Sequence, residues 1–189
     1  MNSETASQAV KNIKAGWNLG NTLDSCGKIS GDYSAEKYET LWHSPVIRRE
    51  MIEAVRDAGF SAVRFPVTWY PHIDDEGNIK GEWLDRAEEI ASYILDAGMY
   101  CIINVHHDSG EHGWIRADEE NFRTSSGKFA ALWRNIALRF RDYDEKLMFE
   151  GFNEMLDAGS SWTEPLSDSS YDVHNRYNQL FVDVVRETG

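Results

Sequence analysis

Two short, nearly identical segments constrain the fold most: Asp57-Ala58-Gly59-Phe60 and Asp96-Ala97-Gly98-Met99. Each ends a run of apolar residues at helical spacing and stands directly before an apolar, strand-like run. A glycine that closes a helix takes the left-handed conformation other residues avoid. Each segment therefore predicts a helix stop feeding a strand. Ahead of the first, Ile47, Met51, Ile52, Val55 and Ala58 share one helix face, and Ser44-Pro45 predicts its start as a cap followed by Pro at the first helical position. Ahead of the second, Leu84, Ala87, Ile90, Ala91, Ile94 and Leu95 do the same. Two later stripes complete the set, one from Phe129 to Phe140 and one from Val173 to Val185.

Strands are expected at 15–21, 61–66, 100–105 and 147–152. Their starts are spaced by 46, 39 and 47 residues. Strands alternating with helices at this spacing form a parallel sheet, either a barrel or an open doubly wound sheet. Tyr100 to Val105 is too apolar for a sheet with one solvated face, as strands buried on both faces are. The open-sheet nucleotide folds want a Gly-rich phosphate turn after the first strand, and Trp17-Asn18-Leu19-Gly20-Asn21 has no G-x-G-x-x-G. Long loops after the strands and short ones after the helices are the barrel-enzyme habit, with chemistry at the C-terminal strand ends. Eight such units would take roughly 350 residues, and the 189 residues here hold four. The expected fold class is thus α/β: four βα units of a (β/α)8 TIM barrel, a half-barrel. Residues 1–14 are expected to be a polar lead-in with one helical turn at most, and residues 15–189 a single domain.

The net charge of -13 argues against nucleic acid or an anionic membrane as partner. No apolar run approaches the ~20 residues of a membrane span. Met1 to Ser7 carries no basic region or apolar core, so no signal peptide is expected there, although a mature secreted domain would look the same. Cys101 sits in an apolar run and Cys26 in a polar loop; two cysteines make no disulfide scaffold, and no Cys-x-x-Cys is present for zinc.

The strand ends carry the candidate chemistry. The first delivers Asn21 and Asp24, the second Arg64 and then Trp69, the third His106, His107 and Asp108, and the fourth Asn153 and Glu154. Arg64 is a permanent charge inside an apolar strand and needs a carboxylate or carbonyl partner, so structural pairing stands beside substrate contact as its role. Successive strand residues face opposite ways, so His106 and His107 are not expected to share an ion, and no metal site is expected. Trp69, Trp114 and Trp162 follow strands two, three and four, where flat rings suit sugar faces; ordinary loop packing is the alternative for each. Glu150 lies four residues before Glu154, roughly 13 Å along a strand, and is expected deep in the interior.

Taken together, residues 15–24, 63–69, 104–108 and 149–154 resemble glycoside hydrolase family 5, and most nearly its bacterial endo-β-1,4-glucanases. The resemblance implies a retaining mechanism on β-1,4-glucans with no cofactor. Glu154 would be the general acid/base and Asn153 would hold the sugar 2-hydroxyl. Arg64 would support the nucleophile, and His106 would line the cleaved subsite. Asn21, Asp24 and His107 would bind sugar on the non-reducing side; Trp69, by its loop position and flat ring, is a further candidate for sugar contact. The family's nucleophile comes from its seventh strand, outside these residues. A complementing C-terminal half-barrel or a homodimer is therefore the expected partner, with a self-associating inert half-barrel or a sugar-binding module as alternatives. A polymeric substrate implies an extracellular setting.

Overall fold

The computed structural model describes residues 4–31, 33–111, 113–159, 162 and 166–189. In chain order they form α1 (Ala6–Asn12), β1 (Gly16–Asn18), α2 (Ala35–Glu39), α3 (Arg49–Asp57), β2 (Ala62–Phe65), α4 (Gly81–Asp96), β3 (Tyr100–Asn104), α5 (Glu119–Phe140), β4 (Leu147–Glu150) and α6 (Asp168–Glu187). The four strands make one all-parallel sheet in the order β1-β2-β3-β4. The two helix stops are where the repeats place them, with Gly59 at φ 98° and Gly98 at φ 83°. The α/β class and the serial βα architecture are as expected. The residues group into two compact units, one holding Met1–Val67, Glu82–Asn104 and Asp142–Glu150, the other Thr68–Gly81, Val105–Arg141 and Gly151–Gly189.

The first unit contains the whole sheet. Residues in register on parallel strands point the same way, so the two faces can be read from the pairing. Val63, Phe65, Cys101 and Ile103 share one face and are fully buried. Asn18, Arg64 and Ile102 share the other, with Asn104 and Glu150 one step further along. The N-terminal end of that second face is covered rather than open: Ala9 and Ile13 of the lead-in pack against Ala62, Tyr100 and Met148. The lead-in is a two-turn helix, longer than expected. Thr5 and Gln8 form a reciprocal capping box, which closes the donors of a helix too short to persist alone.

The segment Ser44–Arg48 forms no helical turn, and α3 starts at Arg49 after an extended Arg48 with no side-chain cap. This corrects the start expected at Ser44-Pro45, and the cause is tertiary. Ile47 donates its N–H to Glu39 Oε1 at 2.6 Å and its carbonyl accepts from Arg86 Nη2 at 2.6 Å. With its carbonyl held by Arg86, Ile47 is not free to accept the Met51 N–H that a helix begun at Pro45 would bring to it. Helix α2, which supplies Glu39, falls where only a polar loop was expected.

In the second unit α5 packs along α6. Trp133 meets Phe181 edge-on at 4.5 Å and Phe129 meets Tyr177 at 5.1 Å. The Tyr177 hydroxyl donates to Asn121 Oδ1 at 2.9 Å, so the ring is buried without orphaning its polar end. Helix α5 begins ten residues before its apolar stripe, where Asp118 accepts the Asn121 N–H at 2.9 Å.

Candidate active site

In the first unit the C-terminal ends of the strands carry one polar network. Arg64 Nε donates to Glu150 Oε2 at 2.7 Å, and Nη2 donates to Glu150 Oε1. Arg64 Nη1 donates to Asn18 Oδ1 at 3.2 Å. Asn104 Nδ2 reaches Glu150 Oε1 at 2.9 Å, while its Oδ1 accepts the Val67 N–H at 3.2 Å. The charge expected to need a partner has one, in the fork-to-fork geometry that fixes a guanidinium plane. Glu150, Asn104 and Asn18 were not expected as site residues. The signal was present: a carboxylate two strands away from Arg64, with an amide on the strand between them. Asn21, exposed at φ 59°, and Asp24, buried, follow β1. Asp24 Oδ1 accepts the Thr22 N–H at 2.8 Å, and the Thr22 hydroxyl donates to Leu19 O at 2.9 Å, a local turn that sets the position of Asn21.

The second unit holds the rest. Strand β3 stops at Asn104, so His106 and His107 lie beyond the pleat and need not face apart. Their rings meet edge-on with centroids 4.6 Å apart. That corrects the alternation argument. His107 donates its N–H to Thr68 Oγ1 at 3.2 Å. Likewise β4 stops at Glu150, and Asn153 and Glu154 stand on the bend that follows rather than on a strand. Glu154 is exposed and adopts φ 38°, a left-handed conformation uncommon for a residue with a Cβ. Asn153 Nδ2 donates to Glu154 Oε2 at 3.3 Å.

Trp69 is 0% exposed. Its ring faces are covered by protein, so the sugar contact expected of it is replaced by packing. Trp162 is the exposed loop ring, at 55%. Trp114 donates its Nε1–H to Asp108 Oδ1 at 2.7 Å, and Lys128 Nζ lies 5.2 Å from its ring centre.

Asp108 joins these loops. Completely buried, it accepts the Trp69 N–H at 2.7 Å on one oxygen and the Trp114 indole on the other. Burial pushes its carboxyl up to about 6, against hydrogen bonds from Trp114, Trp69 and Tyr70 that act the other way. A carboxyl whose folded pKa exceeds its unfolded one binds its proton more tightly in the folded state. Asp108 should therefore subtract stability progressively as pH rises from about 4 to about 6. Urea unfolding of wild type and Asp108→Asn across that range checks this: the variant should be at its worst relative to wild type at pH 4 and regain ground by pH 7. A difference independent of pH would refute it.

A cellulase (glycosyl hydrolase family 5) model matches residues 26–189. The chain belongs to glycosyl hydrolase family 5. Within the family it is 43% identical over 193 aligned residues to cellulase/esterase CelE of Acetivibrio thermocellus, covering 100% of this chain and 22% of that protein. It is 40% identical to endoglucanase B of Clostridium cellulovorans, covering 98% of this chain and 40% of the relative. The family 5 enzyme PbGH5A of Prevotella bryantii, solved with a xyloglucan tetradecasaccharide, superposes with a TM-score of 0.94 at 46% identity. That match covers 99% of this chain and 54% of the solved one. The chain thus spans about half of a family 5 structure, and about a fifth and two fifths of these two curated relatives.

Proposed function

We propose that this chain supplies the acid/base half of a retaining endo-β-1,4-glucanase, with Glu154 as general acid/base. The observation that carries the reading is an exposed carboxylate directly after an amide, on the bend that follows the fourth strand of a family 5 sheet. Glu154 protonates the leaving glycosidic oxygen, and a second carboxylate attacks the anomeric carbon. Glu154 then takes the proton of the water that releases the glycosyl-enzyme. Retention requires the two carboxyls ~5–5.5 Å apart. Glu150 is unsuited to the second role, because Arg64 and Asn104 already occupy its oxygens. The nucleophile is therefore assigned to the half-barrel that completes the sheet beyond β1 and β4. Asn153 holds the sugar 2-hydroxyl, Arg64 supports the nucleophile in an orientation fixed by Glu150, and His106 lines the cleaved subsite. Asn21, Asp24 and His107 bind the non-reducing side. The substrate class is a β-1,4-glucan backbone; xyloglucan on PbGH5A extends the candidates to decorated chains. A polymeric substrate favours an extracellular setting for the reaction.

The test is a fusion of this chain to the part of Clostridium cellulovorans endoglucanase B that lies beyond the aligned region, assayed on a soluble β-1,4-glucan. The fusion should hydrolyse it with retention at the anomeric carbon. Its Glu154→Gln form should lose about 10²–10⁴-fold in kcat, while kcat/KM on an aryl glycoside, whose leaving group needs no proton in the first step, should fall much less. Undiminished glucan hydrolysis by the Gln form sinks the assignment. The unfused chain should be inactive; Glu154-dependent turnover by it would instead point to a second copy completing the barrel.

A further inference from the structure

The bend that carries Glu154 is held from outside itself. Asn153 donates its N–H to Val105 O at 2.9 Å, and its carbonyl accepts from the hydroxyl of Ser109. Ser109 is 2% exposed, and its Oγ also lies 3.0 Å from His106 O. Both backbone polar groups of Asn153 are thus taken by the segment following β3. The carbonyl matters most, because Asn153 C=O and Glu154 N–H belong to one planar peptide unit. Fixing that carbonyl fixes the plane from which the Glu154 φ is measured. Rotation of this peptide is the simplest route by which Glu154 could leave φ 38° for the region its Cβ prefers.

We propose that Ser109 is a positioning residue for the acid/base: its hydroxyl holds the 153–154 peptide in the orientation that keeps Glu154 left-handed. The Ser109 N–H donates to His106 O at 3.3 Å, so one residue reaches the backbone of both the cleaved-subsite histidine and the acid. A strained backbone maintained by surrounding contacts is the usual mark of a side chain aimed for a purpose. This rests on the acid/base assignment of Glu154 for its meaning, but the geometry can be tested without it.

The experiment is backbone NMR of the isotopically labelled chain, reading the Glu154 φ from chemical shifts and couplings in wild type, Ser109→Ala and Ser109→Thr. Thermal melts run alongside. The Ala variant should move Glu154 to negative φ while the amide shifts of β1 to β4 stay in place, and the Thr variant, which restores a hydroxyl, should return it. Retention of φ near 38° in a folded Ala variant overturns the proposal. Should the Ala variant fail to fold, Ser109→Cys, close in size but a far weaker donor, must give the same negative φ. In the fusion described above, Ser109→Ala should lower kcat on unactivated glucan about tenfold or more at unchanged KM, with kcat/KM on aryl glycosides spared. Loss of φ without any kcat effect would separate a failed acid/base reading from a failed positioning one.

Discussion

Replacing Glu39 with alanine is expected to lower the unfolding free energy by about 3–5 kcal/mol, the cost of stranding one member of a buried ion pair. The Glu39 side chain is 1% exposed and that of Arg86 14%. Arg86 Nε reaches Glu39 Oε2 at 2.9 Å and Nη2 reaches Oε1 at 2.8 Å, while Nη1 reaches Glu89 at 2.5 Å. Burial works against the guanidinium charge, but the bonds to Glu39 and Glu89 outweigh it and raise the Arg86 pKa. Alanine at 39 removes that compensation and also strands the Ile47 N–H. Urea titration followed by circular dichroism measures the loss. The double variant Glu39→Leu/Arg86→Met should recover part of it, since no charge is then left buried, though Ile47 still lacks its partners. A loss under about 1 kcal/mol would class the pair with exposed salt bridges.

Trp69→Ala should cost about 3–5 kcal/mol as well, through cavity formation in the second unit. The ring is fully buried, and the backbone on either side is fixed: Asp108 accepts the Trp69 N–H, and the Thr68 hydroxyl accepts from His107. Trp69→Phe, which fills most of the space, should cost distinctly less. A side chain serving sugar contact would behave the other way, weakening binding to cello-oligosaccharides while leaving the urea midpoint in place. Unfolding and isothermal titration on the same two variants separate the roles.

The contrast between those two residues shows what the sequence made legible. Strand number, parallel order and both helix stops could be read from Gly59, Gly98 and the apolar stripes, because local conformation and burial pattern agree there. That Arg64 needs a carboxylate partner was equally legible, since a charge inside an apolar strand demands one, and Glu150 supplies it. What could not be read was where a strand stops. Periodicity persists past Asn104 and Glu150 although pairing ends there, so alternation was carried into residues that no longer obey it, and the two histidines were set apart when they touch. Partners distant in sequence were equally hidden: 86 positions separate Arg64 from Glu150, and nothing local at Pro45 reveals that Glu39 and Arg86 hold both backbone groups of Ile47. Trp69 and Trp162 look alike in sequence as loop tryptophans; only packing distinguishes a fully buried ring from one 55% exposed.

The short helix α1 has a practical corollary. Ala9 and Ile13 lie over Ala62, Tyr100 and Met148, and the Tyr100 hydroxyl donates to Glu4 at 2.7 Å. An expression boundary drawn at Lys14 to trim an unpromising polar leader would uncover greasy surface at the foot of the sheet and strip Tyr100 of its acceptor. Protein made that way should be prone to clump, and fusion tags belong ahead of Glu4 with enough slack to leave the Thr5 cap undisturbed.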